Sequence, residues 1–146
     1  LGHRPPADLA VRAARERLGG ESIAPDAART FWLGVREQTD PFFAGDEPLW
    51  RLSVPSIALP LDLPGRQLIE WGGALRWLKS TAPAAQVRDA AIRAGGHATL
   101  FRAAAGVGNV PVFNTLDATT MAIHRRLKQA LDPKGIFNPG RMYPGL

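Results

Sequence analysis

Leu49-Trp50-Arg51-Leu52-Ser53-Val54-Pro55 decides how this chain is read. Trp50, Leu52 and Val54 fall on one side of an extended backbone, with Arg51 and Ser53 on the other. That is the period-two pattern of a half-buried strand. Residues 67–78 alternate in the same way: Ile69, Trp71, Leu75 and Trp77 lie opposite Glu70 and Arg76. Gly72-Gly73 interrupts this second stretch, which reads as one long strand with a bulge or as a tight hairpin with a Gly-Gly turn. The odd positions stay apolar through the glycines, which favours the single strand. Residues 97–102 supply a further strand.

Outward from the strands the period becomes helical. Residues 7–18 read as a helix that Asp8 can cap and Gly19-Gly20 stops, with Leu9, Ala13 and Leu18 as a modest stripe. Glu21-Ser22-Ile23 reads as a short strand. Pro25 opens a second helix in its first turn, where a missing N–H costs nothing. Ala28, Phe31, Trp32 and Val35 share a face of it, and Asp40-Pro41 ends it. Residues 42–48 form a loop with Phe42 and Phe43 tucked beneath. Pro55, Pro60 and Pro64 make the next segment an irregular connector. A helix over 83–94 is closed by Gly95-Gly96, and the glycine-rich 103–115 is a loop. A last helix near 117–131 carries Thr120, Ile123, Leu127 and Leu131 as its stripe. This order gives an α+β sandwich with a mainly antiparallel sheet and helices on one face.

The chain ends in Leu131-Asp132-Pro133-Lys134-Gly135-Ile136-Phe137-Asn138-Pro139-Gly140-Arg141-Met142-Tyr143-Pro144-Gly145-Leu146. Asp132-Pro133 stops the helix, because the residue before proline is pushed out of the α region. Pro133-Lys134-Gly135 and Asn138-Pro139-Gly140 each read as a tight turn. Ile136, Phe137 and Met142 are apolar pegs between them. A tail of fixed shape reads as a docking segment.

Bulk properties bound the function. A chain of 146 residues with 45% hydrophobic and 21% charged content suits a globular domain with a real core. No apolar run approaches the roughly 20 residues of a membrane helix. The start, Leu1-Gly2-His3-Arg4-Pro5-Pro6, has no signal-peptide core and reads as disordered. It also lacks an initiator methionine, so a piece of a longer protein is expected. With no cysteine, disulfides, thiolate catalysis and Cys-ligated zinc are excluded. The net charge of +5 is almost all arginine and scattered, apart from Arg12/Arg15 and Arg125/Arg126/Lys128 on helix faces.

The polar strand face is where chemistry is expected. If the strands are neighbours, Arg51, Ser53, Glu70, Arg76, His97 and Thr99 share one side of the sheet. Such a face either meets water or covers a ligand. Arg51 or Arg76 would hold a carboxylate in two-point geometry. His97 could move a proton near neutral pH. No metal site is expected, since His3, His97 and His124 lack ligand spacing. No G-x-S-x-G elbow occurs, and Gly106-Val107-Gly108-Asn109 is no dinucleotide fingerprint.

Four blocks together resemble a known family. Leu49-Trp50-Arg51-Leu52-Ser53-Val54-Pro55, Glu70-Trp71-Gly72-Gly73-Ala74-Leu75-Arg76-Trp77, Gly95-Gly96-His97-Ala98-Thr99-Leu100-Phe101-Arg102 and the tail from Asp132 to Tyr143 are similar to the C-terminal half of the E-type subunits of glycolate oxidase. They also resemble the wider FAD-linked oxidases of the vanillyl-alcohol oxidase type. The resemblance departs at Phe113-Asn114-Thr115-Leu116, where the family tends to carry a proline before the leucine, and in a short connector 56–66. It implies a ferredoxin-like cap domain over residues 7–131 and a docking tail over 132–146. FAD would be held mainly by a domain outside these residues, leaving this chain inactive alone and without tightly bound flavin.

The reaction implied is oxidation of a small 2-hydroxy acid such as glycolate. The resemblance implies a second flavin subunit and an iron–sulfur subunit as partners. The setting would be cytoplasmic or peripheral at the inner membrane through that complex. By analogy Asn138 and Arg141 run next to the flavin domain. Ser53, Glu70, Arg76 and His97 would face flavin or substrate; Ser53 is taken as a flavin contact, Arg51 and Arg76 as substrate contacts, and His97, Arg76 and Glu70 as catalytic candidates. An unpaired sheet edge would favour self-association. Two other readings stand beside this one: a subunit-interaction module without a catalytic role, and a basic RNA-binding domain. The latter is disfavoured because the tryptophans are expected under the helices.

Overall fold

In the computed structural model, residues 5–105 and 110–146 are described. His3 and Gly106-Val107-Gly108-Asn109 lie outside them. The chain divides into two compact units, Leu1–Pro41 and Phe42–Leu146.

The first unit is helical. Helix α1 spans Pro5–Leu18, so Asp8 lies inside its first turn rather than capping it. Gly19 follows at φ 73, which stops the helix as expected. Glu21-Ser22-Ile23 forms no strand. Three residues with no neighbouring strand to pair with cannot satisfy a ladder. Helix α2 spans Pro25–Glu37 with proline in its first turn. It stops before Asp40-Pro41: Gln38 turns left-handed at φ 57, and the Thr39 N–H donates to the Gly34 carbonyl at 2.8 Å.

The second unit is built on a four-stranded sheet in the order β2-β3-β1-β4, with β1 Leu49–Ser53, β2 Arg66–Glu70, β3 Leu75–Lys79 and β4 His97–Arg102. All three pairings are antiparallel. This is the α+β sandwich expected, and its strand order is the one that the ferredoxin-like motif uses. A helix is absent from the β1–β2 connection, where the three prolines stand.

Residues 67–78 are a hairpin, not one strand. β2 and β3 pair with Glu70 opposite Leu75, around a turn that contains a 3₁₀ segment at Trp71–Gly73. Gly73 sits at φ 97, and a Cβ there would lie 2.7 Å from the Ser56 carbonyl oxygen, so only glycine fits. Trp71 itself adopts φ 53 and is exposed.

The hairpin reverses the expected parity. Leu68 is paired with Trp77 and Ile69 with Arg76. Even positions of β2 therefore share a face with odd positions of β3.

Helix α3, Ala84–Arg93, covers one face of the sheet with Val87, Ala90 and Ala91. These pack with Trp50, Leu52, Leu63, Leu78, Ala98 and Leu100. Small residues on both sides let helix and sheet approach closely. The return to β4 is tighter still: a Cβ on Gly96 would sit 1.9 Å from the Ser53 carbonyl oxygen. The outer edge of β4 is capped, because the Leu100 N–H donates to the Val112 carbonyl at 2.9 Å and the Ala98 N–H to Asn114 Oδ1 at 3.3 Å.

Helix α4, Ala118–Leu131, starts at Asp117, whose carboxylate accepts from the Thr119 and Thr120 N–H groups at 2.9 Å. None of its residues is buried. The stripe Ile123, Leu127 and Leu131 is more than half exposed instead of facing the sheet. No helix among the described residues is long and apolar enough to cross a membrane.

Candidate functional site

Register sorts the sheet face away from α3 into rows. Glu70, Leu75, Ser53 and His97 make the first row across β2, β3, β1 and β4. Leu68, Trp77, Arg51 and Thr99 make the second. Strands about 4.8 Å apart spread each row over roughly 14 Å, the span of a small ligand and its contacts. Arg51 and His97 are exposed; Ser53, Glu70 and Thr99 are half-buried. Five of the six expected polar residues are thus together.

Arg76 is not among them. The hairpin places it on the α3 side, 3% exposed. Its Nε donates to the Gly73 carbonyl at 3.2 Å, Nη1 to Leu59 at 2.8 Å and Nη2 to Ala58 at 2.6 Å. A guanidinium committed to three carbonyls ties the connector to β3 and does not reach the open face.

Trp77 takes the place on the open side that alternation reserved for Arg76. Its Nε1 donates to Glu70 Oε1 at 2.7 Å, which orients that carboxylate within the first row. Its ring meets Phe43 and Phe101 edge-on, with centroids 5.5 and 5.0 Å away. Beyond it, the loop 42–48 closes the far end of the face. Lys79, 1% exposed in its side chain, reaches Glu47 at 3.2 Å and the Ala44 carbonyl. The Arg102 Nη1 donates to the Phe43 carbonyl at 3.0 Å. The hydrogen bond from Lys79, ahead of that from Arg66, holds the Glu47 carboxyl below its ordinary range. The loop therefore closes one end of the face; at the other end His97 is exposed, Ser53 and Glu70 are half-buried and Leu75 between them is buried. The sealing residues were missed by the sequence reading; the Phe42-Phe43 pair was the available signal.

Asn138 and Arg141 lie elsewhere in the unit. They line a groove of about 390 Å³ between α4 and the tail, with His124, Leu127, Lys128 and Phe137 among its other walls. Both expected tail turns form. The Gly135 N–H donates to the Asp132 carbonyl at 3.0 Å, and the Arg141 N–H to Asn138 at 3.1 Å. A third, Tyr143 to Leu146, follows. The tail is fastened by Asp132, which accepts from Lys128 Nζ at 2.6 Å, Ile136 N–H at 2.9 Å and Phe137 N–H at 2.8 Å. Led by the Lys128 contact, these bonds hold its carboxyl at about 2, below the ordinary 3.8. Tyr143 OH donates to the Asn114 carbonyl at 3.0 Å, which links the tail to the segment capping β4. Burial raises this phenol above its ordinary value. No group of three or more metal-ligating side chains occurs among the described residues.

Residues 83–142, from the start of α3 through the tail turns, match the family of FAD linked oxidases, C-terminal domain. Over 136 residues, 93% of the chain, it is 55% identical to glycolate oxidase subunit GlcE of Escherichia coli (strain K12). The chain spans 36% of the length of that relative. No solved structure matches. The chain is thus similar to glycolate oxidase subunit GlcE, with residues 83–142 matching the C-terminal domain of FAD linked oxidases.

Proposed function

We propose that this chain is the C-terminal cap region of an FAD-dependent oxidoreductase subunit acting on a small 2-hydroxy acid such as glycolate, with the open end of the sheet face as its substrate side. The observation that carries this reading is the 55% identity to a glycolate oxidase subunit across 93% of the chain.

The described residues fit one part of a flavin site. Arg51, Ser53, Thr99 and His97 give a face rich in hydrogen-bonding groups, suited to a carboxylate or to the polar edge of a flavin ring. They do not supply the dinucleotide part: no glycine-rich turn leads into a helix among the described residues. FAD is then held mainly by a further domain. When bound, the flavin supplies the hydride acceptor. Arg51 binds the substrate carboxylate, Ser53 orients the ring edge, and His97 takes the hydroxyl proton. Glu70, fixed by Trp77, completes the row. Asn138 and Arg141 dock the tail beside the flavin domain. The partners are a second flavin subunit and an iron–sulfur subunit, in the cytoplasm or peripheral at the inner membrane.

In the full-length protein, His97→Ala is expected to lower turnover about 100-fold with flavin content unchanged, and Arg51→Met to raise KM for the 2-hydroxy acid. The isolated chain is expected to be colourless after gel filtration with added FAD; co-eluting flavin absorbance would contradict the missing-domain reading. A second reading, an interaction module without catalytic role, is favoured by the exposed Ile123, Leu127, Leu131 and Phe137 of α4 and the tail. Unchanged turnover with weakened assembly of the complex would select it. Stacking of RNA on the face is disfavoured, since Trp77 is only 6% exposed.

A further inference from the structure

The two edges of the sheet are treated differently. β4 is covered by Val112 and Asn114. β2 ends the sheet on the other side, and among the described residues no backbone hydrogen bond beyond its ladder with β3 involves Arg66–Glu70. Arg66, Gln67 and Ile69 are exposed, the last at 53%. No proline, bulge or lysine blunts this strand, the usual devices on an exposed edge.

Its sequence is also self-complementary. Arg66-Gln67-Leu68-Ile69-Glu70 laid antiparallel on itself about Leu68 sets Arg66 opposite Glu70, Gln67 opposite Ile69 and Leu68 opposite Leu68. A two-fold axis through Leu68 forms the charge pair twice, on the same face of a continuous sheet. A strand of unrelated sequence would gain the backbone ladder but not both charge pairs. Arg66 has capacity for this, since its side chain is 59% exposed and its one carboxylate contact, to Glu47, is 3.3 Å long. Glu70 has Oε1 bound by Trp77.

We propose that β2 is a self-recognition edge: two copies of this chain pair β2 to β2 in antiparallel register centred on Leu68, with reciprocal Arg66–Glu70 pairs. Five residues of ladder bury little area, so the dimer is weak and concentration-dependent. The inference does not depend on the oxidase reading.

Sedimentation of the 146-residue chain across a concentration series tests it. Wild type is expected to dimerise. Arg66→Glu places Glu opposite Glu, and Glu70→Arg places Arg opposite Arg, so each variant alone is expected to weaken the dimer about tenfold. Mixed in equal amounts, the two variants regain both opposite-charge pairs and are expected to associate as a heterodimer. A monomeric wild type, single variants that dimerise as tightly as wild type, or a mixture that associates no more tightly than either variant alone would each overturn the proposal.

A second measurement is independent of charge. The chain has no cysteine, so any disulfide in Leu68→Cys joins two chains. Directly opposed residues on paired strands are within disulfide reach, whereas Ile69→Cys would be displaced beyond it. Oxidation is expected to cross-link L68C and not I69C; the reverse, or no cross-link in L68C, would overturn the register.

Discussion

The sheet with α3 and the α4–tail segment belong to one unit and are held by opposite means. Beneath α3 the buried groups are Trp50, Leu52, Leu78, Val87 and Leu100. In α4 no residue is buried, and in the tail the buried group is the carboxylate of Asp132. The first region draws on removal of apolar surface, which is non-directional. The second draws on directed hydrogen bonds and one ion pair, which fix shape but contribute modestly to stability. The sheet with α3 can therefore set the fold, while α4 and the tail leave apolar side chains exposed.

Substitutions can break this contrast. Gly96→Ala is expected to be the most damaging, because its Cβ would meet the Ser53 carbonyl at 1.9 Å and β1 would have to move. A loss of about 4 kcal/mol or more is expected in urea unfolding. Leu52→Ala, at a site 1% exposed, should cost about 3 kcal/mol by the same measurement. Asp132→Asn should leave the urea midpoint nearly unchanged, yet speed amide exchange at Ile136 and Phe137, whose N–H groups it holds. If the midpoint falls as far as for Leu52→Ala, the two regions are one cooperative core.

The Asp132 carboxyl is held at about 2 in the folded chain, below its ordinary 3.8. A depressed carboxyl contributes above its unfolded value and loses that contribution as pH falls through the folded one. Protection of the Ile136 and Phe137 amides should therefore persist above about pH 4 and fade as pH drops toward about 2. The amides of β1 should not follow that titration. Smallest of all, Leu127→Ala on exposed α4 should change stability by less than about 0.5 kcal/mol, although its chemistry matches Leu52→Ala.

Local signals were legible where the chain carries its own constraint. Pro25 marked a helix start, and the Pro–Gly pairs marked the tail turns, because proline fixes φ and glycine accepts positive φ without outside help. Strand β1 was legible because both its faces obey the alternation. The candidate face was legible for Arg51, Ser53, Glu70, His97 and Thr99, which alternation assigns within single strands. It failed at Arg76 and Trp77, which follow a turn, and the α4 stripe gave no sign that it would stay exposed.

Strands β1 and β4, the start of α2, the tail turns and the polar face of β1 and β4 could be read from the chain alone. Each depends on neighbours within a few positions. That residues 67–78 fold back on themselves follows from long-range strand pairing. A run of apolar odd positions is compatible with a bulge or a turn, and the choice rests on whether β3 finds β1 as its other partner. That pairing moves Arg76 under α3 and Trp77 out under Phe43. Tertiary pairing also sets which sheet edge is capped and which is left open, since the capping residues Val112 and Asn114 lie ten or more positions along the chain from the strand they cover.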